Sequence, residues 1–512
     1  HQNVRTLSAQ RDGIIVPDLP TIDTSTEQDV AGGGYNHWAT AGFFGRLNYN
    51  YKEKYLLEVN GRYDGTSRFM KDQRWNFFPS FSLGWNVARE NFWKPLESVV
   101  NQFKLRGSWG ELGNQNTSNL YPFYEILPVK SNSGNWLVNG GKTNTADIPS
   151  LVSTLLTWER VRSFNVGFDF GAFSNRLTGS FDYFVRKTVD MVGPAPQLPL
   201  VLGIAPAIVN NADMKSYGFE IELSWRDRIG EVDYGVKFNL ADAQQKVVKY
   251  PNTTNAFNDW YAGKMSGEIW GYTSLGIAKT DEEMKEHLAS LPNGGQNQLG
   301  NKWGAGDIMY ADINGDGKVD GGKGTLADPG DQRIIGNSTP RYNFGLVLDA
   351  SYKGFDVSIF FQGVGKRDYA PIVGTNGAVF WGAVNNIWQS MAMEEHFDYF
   401  RPEGHPMGAN LNGYYPRPDF TSNKNHQVQT RYLQDASYIR LKNLQIGYTL
   451  PKQWINKLHI DRCRVYVSGD NLWTGTSLAS MFDPETLAAG DWGSGKTYPL
   501  SKVISFGLNV NF

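Results

Sequence analysis

The closing stretch SKVISFGLNVNF (Ser501–Phe512) places Ile504, Phe506, Leu508, Val510 and Phe512 at alternate positions, with Ser505, Gly507, Asn509 and Asn511 between them. In an extended chain successive side chains point to opposite faces, so this segment reads as a strand with one apolar and one polar face. RYNFGLVLDASYK (Arg341–Lys353) repeats the pattern. Tyr342, Phe344, Leu346, Leu348, Ala350 and Tyr352 oppose Arg341, Asn343, Gly345, Asp349, Ser351 and Lys353, and Val347 is the one exception. From Ser216 to Arg226, Tyr217, Phe219, Ile221, Leu223 and Trp225 share a face against Ser216, Gly218, Glu220, Glu222, Ser224 and Arg226.

Counting such segments gives roughly 13 strands of about 9 to 14 residues, longer than the usual strand of a soluble sheet and suited to a tilted crossing of a bilayer. Between Tyr438 and Tyr448 the alternation slips from Ile439 and Leu441 to Leu444, Ile446 and Tyr448, which predicts a β-bulge near Lys442 and Asn443. A soluble sandwich or propeller would bury the second face of many strands, and no repeat of propeller length is visible. A closed barrel with lipid outside and water inside accounts for the recurrent polar face. Connections are also unequal. Lys353-Gly354-Phe355 is a tight turn, whereas 114–150, 191–212, 250–340 and 366–429 are long, as in barrels with short turns on one rim and long loops on the other.

Composition narrows the classes. Aromatic residues are 14% of the chain and glycines number 56, which is strand-and-turn chemistry. A net charge of -2 with interspersed signs excludes a polybasic nucleic-acid surface. The single cysteine, Cys463, excludes a disulfide framework and reads as an ordinary strand residue. No apolar run is long enough for a transmembrane helix, which leaves a strand-built barrel untouched.

GRLNYNYKEKYLLEVNGRYDGTSRF (Gly45–Phe69), FPSFSLGWNVARENFW (Phe78–Trp93), LRGSWGELGNQN (Leu105–Asn116), TWERVRSFNVGFDF (Thr157–Phe170), NRLTGSFDYFVRKTVDM (Asn175–Met191), ASYIRLKNLQIGYTLP (Ala436–Pro451), VYVSGDNLW (Val465–Trp473) and the terminal FGLNVNF occur in collinear order. Together they resemble the C-terminal part of a SusC/RagA-type TonB-dependent outer-membrane transporter. The resemblance implies an all-β fold, an antiparallel transmembrane β-barrel of about 22 strands with a plugged lumen, of which residues 1–512 supply a part. The plug domain, the TonB box and the first strands are expected outside this chain. It further implies the outer membrane of a Gram-negative bacterium, energy from the TonB complex, a SusD-like lipoprotein lid, a dimer of transporter–lid pairs, and import of an oligosaccharide or an oligopeptide. The terminal Phe512 resembles a signal read by the outer-membrane assembly machinery.

DINGDGKVD (Asp312–Asp320) reproduces the start of an EF-hand calcium loop. Asp312, Asn314, Asp316 and Asp320 stand at ligand positions, Gly317 at the sharp turn, and Lys318 where a carbonyl binds. Lys323 replaces the bidentate Glu, and no helices are expected on either side. The resemblance adds a following Asp-x-Arg, here Asp331-Gln332-Arg333. A structural Ca2+ held by Asp312, Asn314, Asp316, Lys318, Asp320 and Asp331 or Asp328 is therefore expected, and the alternative is an Asx-turn loop closed by its own hydrogen bonds. Loop aromatics suited to stacking on substrate are Trp260, Tyr261, Trp270, Tyr272, Trp303, Trp381, Trp388, Tyr414, Tyr415 and Trp492. No nucleophile elbow, HExxH or phosphate loop occurs, and His396 and His405 read as solvated loop residues, so no enzyme is expected and no organic cofactor. The reading from another class is a calcium-stabilised β-rich surface adhesin or glycan-binding protein.

Overall fold

The computed structural model describes residues 2–11, 29–117, 120–130, 132–193, 201, 203–204, 206–371, 379–382, 392–419, 422–456, 459–487 and 497–512. Its main feature is a 13-stranded sheet, made of β1 (Thr40–Tyr51), β2 (Tyr55–Thr66), β3 (Trp75–Asn86), β4 (Val100–Asn114), β5 (Glu159–Ala172), β6 (Leu177–Gly193), β7 (Val209–Ile229), β8 (Val232–Lys249), β9 (Arg341–Tyr352), β10 (Phe355–Lys366), β11 (Tyr438–Thr449), β12 (Arg462–Thr476) and β13 (Val503–Asn511). Each strand pairs antiparallel with the next in sequence, so the sheet is one uninterrupted meander. A separate ribbon of Gln2–Arg11 and Asp29–Trp38 precedes it.

Register turns the alternation of single strands into rows across the sheet. One apolar row runs Tyr51, Tyr55, Trp85, Leu105, Phe168, Phe181, Ile221, Leu240 and Phe344, each the cross-strand partner of the one before. Offset by one residue, a polar row runs Lys104, Asp169, Ser180, Glu222, Asn239, Gly345, Gln362, Arg440 and Thr474. The apolar face is bare: Phe43 is 70% exposed, Leu83 63%, Phe506 85% and Leu508 65%. An uncovered apolar band of this width is far beyond what water tolerates, and it matches a surface made for lipid.

The strand count agrees with the sequence reading, but the lengths extend from 9 to 21 residues. The longest, β6 to β8, continue past the apolar band toward the loops, where polar groups take over. There Asp242 of β8 forms an ion pair with Arg341 at the start of β9. The expected bulge is present. Leu441 pairs with Phe361 and Asn443 with Phe360, leaving Lys442 without a cross-strand position on β10. The extra residue keeps Ile439 and Leu441 on the same face as Leu444, Ile446 and Tyr448.

The two rims differ as expected. On one, β1–β2, β5–β6, β7–β8 and β9–β10 are joined by four residues or fewer, and the β9–β10 turn places Lys353 (φ 46°) and Gly354 (φ 90°) in the left-handed region that a two-residue hairpin demands. On the other rim lie the long connections 115–158, 194–208, 250–340, 367–437 and 477–502. The hydrophobic core of the molecule sits in these loops. Tyr272, Ile277, Leu291, Ile308, Tyr310, Val319, Phe380, Trp381, Phe400, Tyr415, Tyr432, Ala436, Leu478, Phe482 and Leu487 pack into one buried cluster drawn from three of the connections. This loop cap includes a regular helix, α1 (Asp281–Ala289). Thr280 accepts a hydrogen bond from the Glu283 N–H while the Glu283 carboxylate accepts from the Lys279 N–H, and Asp281, Glu282 and Glu283 oppose the positive end of the helix dipole.

Candidate transport surface

Two structures meet at the long-loop rim, the loop cap and the polar face of the sheet. The cap is closed internally by charge. Asp307 is fully buried and accepts from Lys424 Nζ at 2.9 Å, Arg417 Nε at 2.8 Å, Arg417 Nη2 at 2.6 Å and Asn425 Nδ2 at 2.9 Å. Lys424, itself 1% exposed, also donates to the Asn301 and Lys302 carbonyls and stands 5.0 Å from the centre of the Trp303 ring. A buried carboxylate is tolerated when its lone pairs are filled in this way, so the pair locks the 250–340 loop to the 392–437 part of its neighbour.

A second charge cluster ties the cap to the wall. Arg440 of β11 holds Asp483 at 2.6 Å and Glu485 at 2.8 Å, and Lys442 at the bulge reaches Glu485 at 2.5 Å. Arg367 donates to the Leu487 carbonyl at 2.7 Å. The segment 478–487 is thus pinned to the polar face. Farther along that face Arg106 bridges Asp169 and Asp182 on β5 and β6. Arg106 and Arg440 are thus answered by carboxylates, and Ser180, Asn239 and Thr474 add hydroxyl and amide groups to the same face.

Most of the described aromatics expected at a substrate surface are buried or packed against other side chains. Trp381 and Tyr415 are buried in the cap core, and Tyr272 is 5% exposed. Trp270 stacks on Phe257 with ring centres 4.6 Å apart. Trp303 packs against the core, Tyr414 accepts on its hydroxyl from Gln434, and the Tyr261 hydroxyl donates to Glu268 at 2.6 Å. Among the described members of this set Trp260 alone is well exposed, at 40%, beside Tyr250. Trp388 and Trp492 lie outside the described residues. His396 is buried, in contrast to the solvated reading: its Nε2 lies 3.1 Å from the Val379 and Phe380 carbonyls, and its Nδ1 accepts from the Met393 N–H. Burial in an aromatic core supplied the partners that its loop sequence did not announce.

In the 312–320 loop the acidic groups turn on the chain itself. Asp312 accepts from the Gly315 and Gly317 N–H groups at 2.6 and 2.8 Å, and Asn314 Oδ1 from the Asp316 N–H at 3.0 Å. Asp331 is fully buried and accepts from the Ile313, Asn314 and Asp320 N–H groups, and burial raises its carboxyl above the usual range. The Lys318 ammonium lies 2.5 Å from Asp320 and 3.9 Å from Asp316, between the two carboxylates that a cation would join. Among the described residues no helix flanks the loop; α1 ends well before it, at Ala289. Nor do three acidic, histidine or cysteine side chains converge as a metal cage among those residues.

A meander of long strands with a bare apolar face, a polar face and one rim of packed loops defines an outer-membrane β-barrel wall. Residues 5–472 match the family described as "TonB dependent receptor-like, beta-barrel". Over 499 residues the chain is 30% identical to TonB-dependent receptor P3 of Formosa agariphila, covering 92% of this chain and 45% of that protein. It is 24% identical over 486 residues to TonB-dependent receptor SusC of Bacteroides thetaiotaomicron, covering 92% of this chain and 43% of that one. Among solved structures it is similar to the RagAB peptide transporter, with a TM-score of 0.73 at 22% identity, covering 97% of this chain and 50% of that one. The chain belongs to the TonB-dependent receptor β-barrel family, and it spans about half the length of the curated relatives it matches.

Proposed function

We propose that this chain forms the C-terminal wall and loop cap of a transporter that imports oligosaccharides across the outer membrane, driven by TonB and lidded by a SusD-like lipoprotein. The observation that carries the substrate class is the wall chemistry. Arg106 is matched to Asp169 and Asp182, and Arg440 to Asp483 and Glu485, while Ser180, Asn239 and Thr474 stand in the same polar row. A neutral polyhydroxylated cargo exchanges hydrogen bonds with such a surface without breaking an ion pair, whereas charged peptides compete with those pairs. Isothermal titration of the whole detergent-purified transporter and lid against pools of neutral oligosaccharides and of peptides tests this. Binding confined to the oligosaccharides is expected, and binding confined to peptides overturns the substrate class.

A calcium ion in the 312–320 loop is part of the same proposal. The seat is attractive to a cation, since the Lys318 ammonium already takes it; calcium would displace that ammonium and bring Asp312, Asn314, Asp316, the Lys318 carbonyl and Asp320 to one centre, with Asp331 bracing the loop beneath. Exchanging Lys318 for Ala removes the competitor. Calcium binding by equilibrium dialysis should then tighten by about fivefold, one ion-pair's worth of affinity, and no binding to either form contradicts the site.

A further inference from the structure

Val347, the residue that breaks the alternation of its strand, has a consequence on the polar face. It pairs directly with Phe360 of β10, so two apolar side chains stand side by side on the polar face. Beside them Gly345 carries no side chain, which lets Asn239 and the Phe360 ring close over it: a Cβ there would lie 2.5 Å from Asn239 Oδ1 and 3.4 Å from the Phe360 ring. Here the face holds a cavity of about 490 Å³ lined by Glu222, Lys237, Asn239, Ser180, Val347 and Phe360. Glu222 is the cross-strand partner of Asn239, and Lys237 of both Ser224 and Val347.

We infer that this notch is a sugar subsite on the wall of the transport route. The volume admits one or two hexose rings. The Phe360–Val347 step offers a flat apolar surface for the C–H face of a sugar, and Glu222, Asn239, Lys237 and Ser180 surround it with acceptors and donors for ring hydroxyls. Among the described residues neither Glu222 nor Lys237 has an ion-pair partner, unlike Arg106 and Arg440 on the same face. That combination of an apolar floor with uncommitted polar groups on the rim separates the notch from the rest of the wall. The inference rests on the oligosaccharide reading above and locates a site within it.

The test uses the whole transporter with Val347→Cys in a Cys463→Ser background and follows maleimide labelling with and without a pool of neutral oligosaccharides. Labelling in the free transporter, slowed at least about tenfold by saturating oligosaccharide and not by peptides, is expected. Phe360→Ala should weaken oligosaccharide affinity by about tenfold and Phe360→Tyr should restore it, as for loss and return of one stacking ring. Labelling unchanged by an oligosaccharide that titration shows to be bound overturns the notch and leaves the substrate class standing. A thiol in the Val347→Cys variant that is closed to maleimide before any ligand is added means that polypeptide fills the notch, and also overturns it. Failure of every oligosaccharide to bind the unmodified transporter overturns both readings together.

Discussion

Asp307 and Lys424 show what residue-level chemistry the chain conceals. They are more than a hundred positions apart, and nothing in DIMY or NKNH marks an ion pair, yet both are almost fully buried and meet at 2.9 Å. Lys424→Met leaves the buried carboxylate with Arg417, Asn425 and the Gly304 N–H, and should destabilise the cap by about 3–5 kcal/mol, read as a lower urea midpoint of tryptophan fluorescence with the heat-modifiable barrel band retained. His426 adds a pH dependence. It is 3% exposed against the edge of Trp381, and burial pushes its pKa from the usual 6.5 down to about 4, with the charge of Asp419 opposing that shift in part. Because the folded value lies below the unfolded one, the neutral ring's contribution is complete above about 6.5 and is lost as pH falls toward about 4, where the unfolded chain takes up the proton first. The midpoint of cap unfolding should therefore fall through that window, and His426→Leu should flatten the decline. By contrast, the Asx geometry of the 312–320 loop was legible in the sequence, because Asp312, Asn314 and Asp316 act on backbone amides two to five residues away.

At the scale of elements, alternation was sufficient to find the strands of the sheet, since lipid on one side and polar surroundings on the other impose period two along each of them. Even the bulge was readable, because a slip in parity between Leu441 and Leu444 has one economical explanation. Deleting Lys442 should remove the bulge, leave Leu441 and Leu444 two positions apart on one face and keep the heat-modifiable band with loss of the contact to Glu485, whereas deleting Lys442 and Asn443 together should turn Leu444, Ile446 and Tyr448 to the polar face and abolish the band. A band lost on deleting Lys442 alone, or retained in the double deletion, would contradict the register. The loops were less legible. Their lengths were apparent, but not that most of their described aromatics would pack against other loop side chains, as Trp270 does on Phe257 and Trp381 on Tyr415. A core made of Trp381, Tyr415, Tyr432 and Phe380 has no period, because loop segments supply its members one or two at a time.

For the molecule as a whole, the inversion of the usual arrangement is the main finding. Large apolar side chains lie exposed on the sheet, while the buried core occupies the loops at one rim. That distribution makes sense only when lipid covers the strands, and it leaves the polar face and the loop cap as the surfaces that can meet a cargo. Import itself is the central claim, and the most direct measurement is uptake of labelled neutral oligosaccharides by cells that carry the whole transporter, cells that lack it, and carrying cells treated with a protonophore. Uptake should require the transporter and collapse with the proton gradient. Equal uptake in its absence, or loss of peptide uptake in its place, would contradict the account.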